Sequence, residues 1–237
     1  MRRMQEVDLF HVTPTRRLID NSRRIGYMNE IRLCWGMRVS PIARAETMNA
    51  LASTGSATDD PSMSFEGNRE ERVIRVDRRD QVQGYAGKLE VHRAGLLHRA
   101  FSVFVFNAQG HLLLQRRAGG KYHFAGLWSN TCCGHPRPGE MTTRAASRRL
   151  EEEFGFTTHL VEFAQLVYRA RDPVSTLVEH EYLHVFRGLF PGKLQPNPDE
   201  VDAWRWMSVP HLRQRLRESP DAFTPWFALL TRDNVLG

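Results

Sequence analysis

From Arg72 onward the apolar residues fall into short runs and alternations separated by turn residues. Segments 73–76 (VIRV), 101–106 and 111–115 read as strands, the last two joined through the Asn107-Ala-Gln-Gly110 turn. Segments 160–169 and 179–190, rich in Val, Leu, Phe and Tyr, read the same way. Between these strands, 144–154 has helical character, with Thr142 or Thr143 able to cap its start and Gly155 able to end it. Two further helices are predicted over 209–218 and 225–231, each after a plausible start signal. Strands interleaved with a few helices indicate an α/β fold, an α+β sandwich. No repeat period is visible, which argues against a solenoid.

Residues 1–70 have another texture. Their apolar positions are scattered and their charges nearly balanced, and 52–64 (ASTGSATDDPSMS) has the composition of a linker. A short ordered element is expected over 25–39. The remainder of 1–70 reads as a disordered or weakly ordered extension ahead of a domain at 71–237. Met63 shortly precedes the first convincing strand, as expected if the extension is no part of the working protein.

The chain has 237 residues, enough for one domain with something appended and for a sizeable core. Its 33 basic and 27 acidic residues leave +6, with the two signs interleaved. That is no nucleic-acid footprint. It suits a site for a small polyanion and a plain compositional bias equally. Cys34, Cys132 and Cys133 are too few and too badly spaced for a disulfide framework or a structural zinc site, which points to a reducing cytosol. No apolar run approaches the roughly 18 residues of a membrane span, and no signal-peptide core is present, so a cytoplasmic location without membrane attachment is expected.

Chemistry-bearing residues concentrate in Thr131-Cys-Cys-Gly-His-Pro-Arg-Pro-Gly-Glu140 and the following Arg148-Arg-Leu-Glu-Glu-Glu-Phe-Gly-Phe156. On a helix, Arg149, Glu152 and Glu153 can project to one side. An exposed helix with ordinary ion pairs is the plain alternative. A basic residue and carboxylates beside a loop carrying Cys133 and His135 are, however, what diphosphate and metal binding require. Glu179 and Glu181 alternate on one face of a strand while His180 points away. If that face is buried, the pair must be neutralised by protons, Arg or a metal. Read from this fragment alone, a solvent-facing polar edge is the plainer expectation. His92, His98 and His135 could complete a set of three imidazoles and two carboxylates suited to zinc, manganese or iron. Cys132 reads as a packing residue, whereas Cys133, in a polar loop, better fits a functional thiol that a nearby cation turns to thiolate. Trp226 offers an aromatic face to a cation.

Gly134, Glu140 and 148–156 resemble the Nudix box, with Arg149 where hydrolases of that kind carry a glutamate. Leu97-His-Arg-Ala-Phe-Ser102, Asn130-Thr-Cys-Cys-Gly-His-Pro136, Tyr168-Arg-Ala170, Glu179-His-Glu181 and Thr224-Pro-Trp-Phe227 resemble the type I isopentenyl-diphosphate isomerases over roughly residues 72–232. The resemblance implies a Nudix-like mixed sheet flanked by helices and a monomeric or weakly dimeric enzyme acting on a prenyl diphosphate. It implies His92, His98, His135, Glu179 and Glu181 as ligands of one divalent ion, zinc or manganese. Glu153 and the Cys133 carbonyl would bind a second ion, magnesium, carried with the diphosphate. Arg117, Lys121 and Arg149 match diphosphate-binding positions, Cys133 and Glu181 the catalytic pair assisted by Tyr168, and Trp226 the shield of a carbocation. The competing expectations are a Nudix hydrolase of a nucleoside diphosphate derivative, using Glu152 and Glu153 to hold magnesium, and a non-catalytic prenyl-diphosphate-binding module.

Overall fold

The computed structural model describes residues 8–14, 71–121 and 123–232. In chain order the elements are β1 (Asp8–Pro14), β2 (Arg72–Val76), β3 (Val82–Gly87), α1 (Lys88–Ala94), β4 (His98–Phe106), β5 (Leu112–Arg117), β6 (Trp128–Ser129) and β7 (Cys132–Gly134). They continue with α2 (Thr142–Phe154), β8 (Val161–Arg171), β9 (Val178–Leu189), β10 (Val201–Met207), α3 (Val209–Glu218), a short 3-10 turn (Pro220–Ala222) and α4 (Pro225–Arg232).

One mixed sheet organises these elements. Its main path runs β1-β8-β9-β4-β2-β3, with β4 and β9 parallel and the other neighbours antiparallel. Strand β4 is the hub: it pairs β2 at His98, β7 through Phe101, Ser102 and Val103, and β5 at Phe106. Its sequence HRAFSVFVF is apolar on both faces because both faces are covered, the pattern expected of a buried central strand. Phe101, Val103 and Val105 meet Ala145, Ala146, Leu150 and Phe154 of α2. Leu150 and Phe154 are fully buried, and each such side chain contributes ~1.5–3 kcal/mol. On the opposite face Ala100 and Phe104 pack with Leu212 and Leu216 of α3 and with Phe227 and Leu230 of α4. The result is the α/β sandwich expected, with four α-helices among the described residues. None of these helices is long and apolar enough to cross a membrane.

Several local expectations need correcting. Neither Thr142 nor Thr143 caps α2; Met141 occupies the N-cap with extended backbone and no side-chain cap, and both threonines lie inside the helix. Gly155 does end the helix, at φ 69°, donating its N–H to the Glu151 carbonyl. Residues 8–14, inside the stretch expected to be weakly ordered, form β1 and extend the sheet beyond β8. The rest of 1–70, including the element expected over 25–39, lies outside the described residues.

Candidate active site

The site begins as one rung of the sheet. In β9, Glu181 stands opposite His98 of parallel β4 on one side and Tyr168 of antiparallel β8 on the other. Two residues back along β9, Glu179 is on the same face, while His180 turns away and contacts the Gly95 carbonyl. That face is interior: Glu179 is 3% and Glu181 7% exposed, so the expected polar edge is corrected to a buried carboxylate pair. Two short elements complete the set. Helix α1 contributes His92, and β7, paired to β4, delivers Cys133 opposite Ser102 and His135 just beyond its end.

One donor atom from each of His92, His98, His135, Glu179 and Glu181 lies within 4.8 Å of all the others. The second nitrogens of two of these rings are already assigned. His92 Nδ1 lies 2.6 Å from the Lys88 carbonyl and His98 Nδ1 2.8 Å from the Leu96 carbonyl. A carbonyl only accepts, so each Nδ1 carries a proton, and each Nε2 can present a lone pair when its ring is neutral. The Nε2 atoms of His98 and His135 face each other at 3.1 Å, and His135 Nε2 is 3.0 Å from Glu181 Oε1. Imidazole nitrogens converging on buried carboxylates make a donor set that could hold a divalent metal ion.

The electrostatics follow from this crowding. Burial pushes the Glu181 carboxyl well up and the adjacent Glu179 charge adds to it, which favours the protonated form; the Tyr168 hydroxyl, donating to Oε2 at 2.7 Å, opposes that shift. Burial opposes ionisation of Glu179 too, but His92 and His123 outweigh it and hold that carboxyl well down. Burial and then neighbouring imidazolium charge depress His98 to about 4 and drive His135 well down.

Next to this cluster opens a cavity of about 140 Å³ lined by Cys133, His135, Tyr168, Glu179, Glu181, Trp226, Arg117, Lys121, Arg149 and Glu153, among others. His92 and His98 are fully buried and do not line it. Arg149 Nη2 binds Glu153 Oε1 at 2.6 Å and Glu200 Oε2 at 2.9 Å, and Lys121 pairs with the same Glu200 oxygen. Glu153 also accepts from Gln115 Nε2 at 2.7 Å. Glu152 does not join them: it pairs with Arg148 and Arg149 on the exposed side of α2. Arg117 Nη1 is 3.8 Å from Cys133 Sγ, and its guanidinium lies 5.6 Å from the centre of the Trp226 ring. The indole of Trp226 is fixed by bonds from Nε1 to Ser129 Oγ and Asn130 Oδ1 at 3.1 and 3.2 Å. Burial pushes the Cys133 thiol up to about 12 despite Arg117, which corrects the expected thiolate: the free protein holds a neutral thiol there.

Every residue singled out in the sequence thus reaches the cluster or the cavity beside it, except Glu152. The sequence reading missed His123, whose Nε2 contacts Glu179 Oε1, as well as Gln115 and Glu200. His123 sits between β5 and β6 with no periodic pattern to mark it. Glu200 stands just before a strand that was itself overlooked.

The chain is similar to several known proteins. The NUDIX domain family matches residues 96–227. A Burkholderia multivorans protein named isopentenyl-diphosphate Delta-isomerase is 53% identical over 158 residues, 67% of this chain and 89% of the relative. Proteins of the same name from Halorhodospira halophila and Serratia proteamaculans are 51% and 48% identical, the matches covering 69% of this chain and 94% and 91% of theirs. A crystal structure of a Deinococcus radiodurans protein shares the fold at a TM-score of 0.58 and 23% identity, over 69% of this chain and 98% of that one. The chain belongs to the isopentenyl-diphosphate Delta-isomerase family of NUDIX-domain proteins.

Proposed function

We infer that this protein interconverts isopentenyl diphosphate and dimethylallyl diphosphate and so supplies isoprenoid precursors, the activity its relatives are named for. The observation that carries the assignment is the Glu181 carboxyl, bonded to Tyr168, in the wall of a cavity that is also lined by Cys133 and four basic side chains.

Moving this double bond requires a proton to arrive at one carbon and another to leave a second, through a tertiary carbocation. An unactivated alkene is a poor base, so the acid must be pressed against it away from water. Glu181, with Tyr168 behind it, delivers the proton. Cys133 removes the second one; a carbocation is so acidic that a weak base suffices, and Arg117 is placed to stabilise the thiolate. The thiol first gives up to water the proton it carries in the free protein; turnover then leaves Glu181 ionised and Cys133 protonated, and exchange with water restores a proton to Glu181 and removes one from Cys133. Trp226 lines the cavity, and its aromatic ring stabilises the carbocation. Arg117, Lys121 and Arg149 grip the diphosphate, with Glu200 releasing Lys121 and Arg149 as the substrate enters.

His92, His98, His135, Glu179 and Glu181 fit zinc or manganese, and the resemblance assigns Glu153 and the Cys133 carbonyl to magnesium; when bound, these ions would supply the charge that fixes Glu181 in place and neutralises the diphosphate. A cytoplasmic location, supported by the free Cys132 and Cys133 thiols, and a monomeric or weakly dimeric state belong to the same proposal.

The test is to incubate the purified chain with labelled isopentenyl diphosphate, magnesium and either manganese or zinc, with a chelator-treated control. Dimethylallyl diphosphate appears only with metal. Released phosphate would establish the hydrolase instead, and bound but unchanged substrate the non-catalytic module.

A further inference from the structure

Each carboxylate of the cluster is gripped at both oxygens. Glu181 receives the Tyr168 hydroxyl at Oε2 and faces His135 through Oε1. Glu179 faces His92 Nε2 through Oε2 at 3.2 Å, and its other oxygen contacts His123 Nε2. His123 thus has the place at Glu179 that Tyr168 has at Glu181.

The loop that carries His123 is built to bring it there. The ring is 7% exposed, and its centre lies 5.3 Å from that of His92. Its backbone carbonyl accepts from Arg117 Nη2 at 3.2 Å. The next residue, Phe124, has φ 48°, a left-handed conformation that non-glycine residues adopt at a cost. That geometry seats the Phe124 ring edge-on against Trp226, 5.3 Å between centres, while its N–H donates to Asp172 Oδ2 at 3.3 Å.

We propose that His123 is a positioning residue for the metal site: it holds Glu179 Oε1, so that Oε2 alone is presented beside His92. A hydrogen-bonded partner behind a ligand fixes the ligand's orientation, and its loss costs 10- to 100-fold in metal affinity as an order of magnitude. The proposal rests on the five-residue metal site and not on isomerase activity, so it is tested by binding.

The experiment measures manganese and zinc affinity of the metal-stripped chain by competition with a chromophoric chelator, for the wild type, His123→Leu and His123→Gln. Thermal unfolding of the same samples reports whether each variant is folded. His123→Leu keeps bulk and loses the donor; it should bind roughly 10- to 100-fold more weakly. His123→Gln restores an N–H and should return to within about threefold of the wild type. Equal affinity for wild type and His123→Leu would overturn the proposal while leaving the five-residue site intact. So would a His123→Gln as weak as His123→Leu, which would make the imidazole itself a ligand. A wild type that binds neither ion would remove both the site and the role given to His123.

Discussion

Tyr168→Phe removes one oxygen from a side chain that is 1% exposed and leaves its ring packing in place. That oxygen donates to Glu181 Oε2 at 2.7 Å. Losing a partner to a buried polar group costs about 1–3 kcal/mol, and about 1.4 kcal/mol is tenfold in rate, so isomerisation should slow roughly 5- to 150-fold. The direction comes from Glu181: burial and then Glu179 drive its carboxyl upward, while the Tyr168 hydroxyl draws it back. Without that hydroxyl the proton is held more tightly, and Glu181 becomes a weaker acid toward the alkene. The loss should therefore fall on kcat, with KM, which the proposal assigns to Arg117, Lys121 and Arg149, changed by less than about twofold. The descending alkaline limb of the pH–rate profile, where Glu181 loses its proton, should move to higher pH. Conversion of carbon-13-labelled isopentenyl diphosphate, followed by NMR across pH, reads all three quantities. A variant with kcat within about twofold of the wild type and an unmoved limb would refute the role given to the Tyr168–Glu181 pair.

Replacing Cys133 by Ala should lower turnover by about 10²–10⁴-fold while metal content measured by emission spectrometry stays at the wild-type value; near-normal turnover would defeat the assignment of the thiol as base. Gly155→Ala would place a Cβ 2.7 Å from that of Gln195 at φ 69°, so a loss of about 2 kcal/mol and a Tm roughly 4–8 °C lower are expected in calorimetry, with no shift counting against the cap. Away from the cavity, His184 bridges Asp80 and Glu162 at 3.1 and 2.8 Å; burial opposes its charge, yet the two hydrogen bonds raise its pKa, and both carboxylates, likewise opposed by burial, are lowered by contact with it. The raised His184 stabilises the fold fully below its unfolded pKa of about 6.5 and less as pH rises through its folded value, while the lowered carboxylates stabilise above about pH 4.3 and less as pH falls through theirs. The Tm gap between wild type and His184→Gln should accordingly be widest near pH 5.5 and narrow toward pH 9; a gap independent of pH would rule the bridge out.

The parts of the fold that the sequence announced are those where one periodicity persists. Helix α2 was readable because Ala146, Leu150 and Phe154 repeat every four residues and Gly155 stops them. Strands β4, β8 and β9 were readable because they are long and apolar. Strand β3 escaped notice because VQGYAG interrupts its alternation with two glycines, and α1 because a seven-residue helix shows barely two turns of any pattern. Strand β10 was hidden by its mostly uncovered DAWRW stretch, in which only the end residues Val201 and Met207 are buried. In the site, Glu179 and Glu181 were visible as a pair, but their burial depends on β8 and β4 flanking β9, a long-range pairing that no local window contains. His123 lacked even that much: a single imidazole in a polar loop becomes meaningful only beside Glu179, 56 positions later.

Because Tyr168, Glu181 and His98 share one rung, the spacing of the chemistry is written in the length of a turn as well as in the identity of side chains. Between β8 and β9 the chain reverses over residues 172–177, closed by the Asp172 N–H on the Leu177 carbonyl at 2.8 Å and by a left-handed Thr176 at φ 63°. Asp172 gathers this reversal around its carboxylate, which accepts from the Val174 and Ser175 amides and from Ser175 Oγ. Deleting one residue there would slide β9 by one position, turn both glutamates to the outer face and bring His180 and Tyr182 inward. Every functional side chain would survive such a deletion, yet Glu179 and Glu181 would no longer meet the histidines or Tyr168. The turn therefore acts as a gauge block, and among descendants of this chain its residue count would be held as tightly as the cysteine, even where its letters drift.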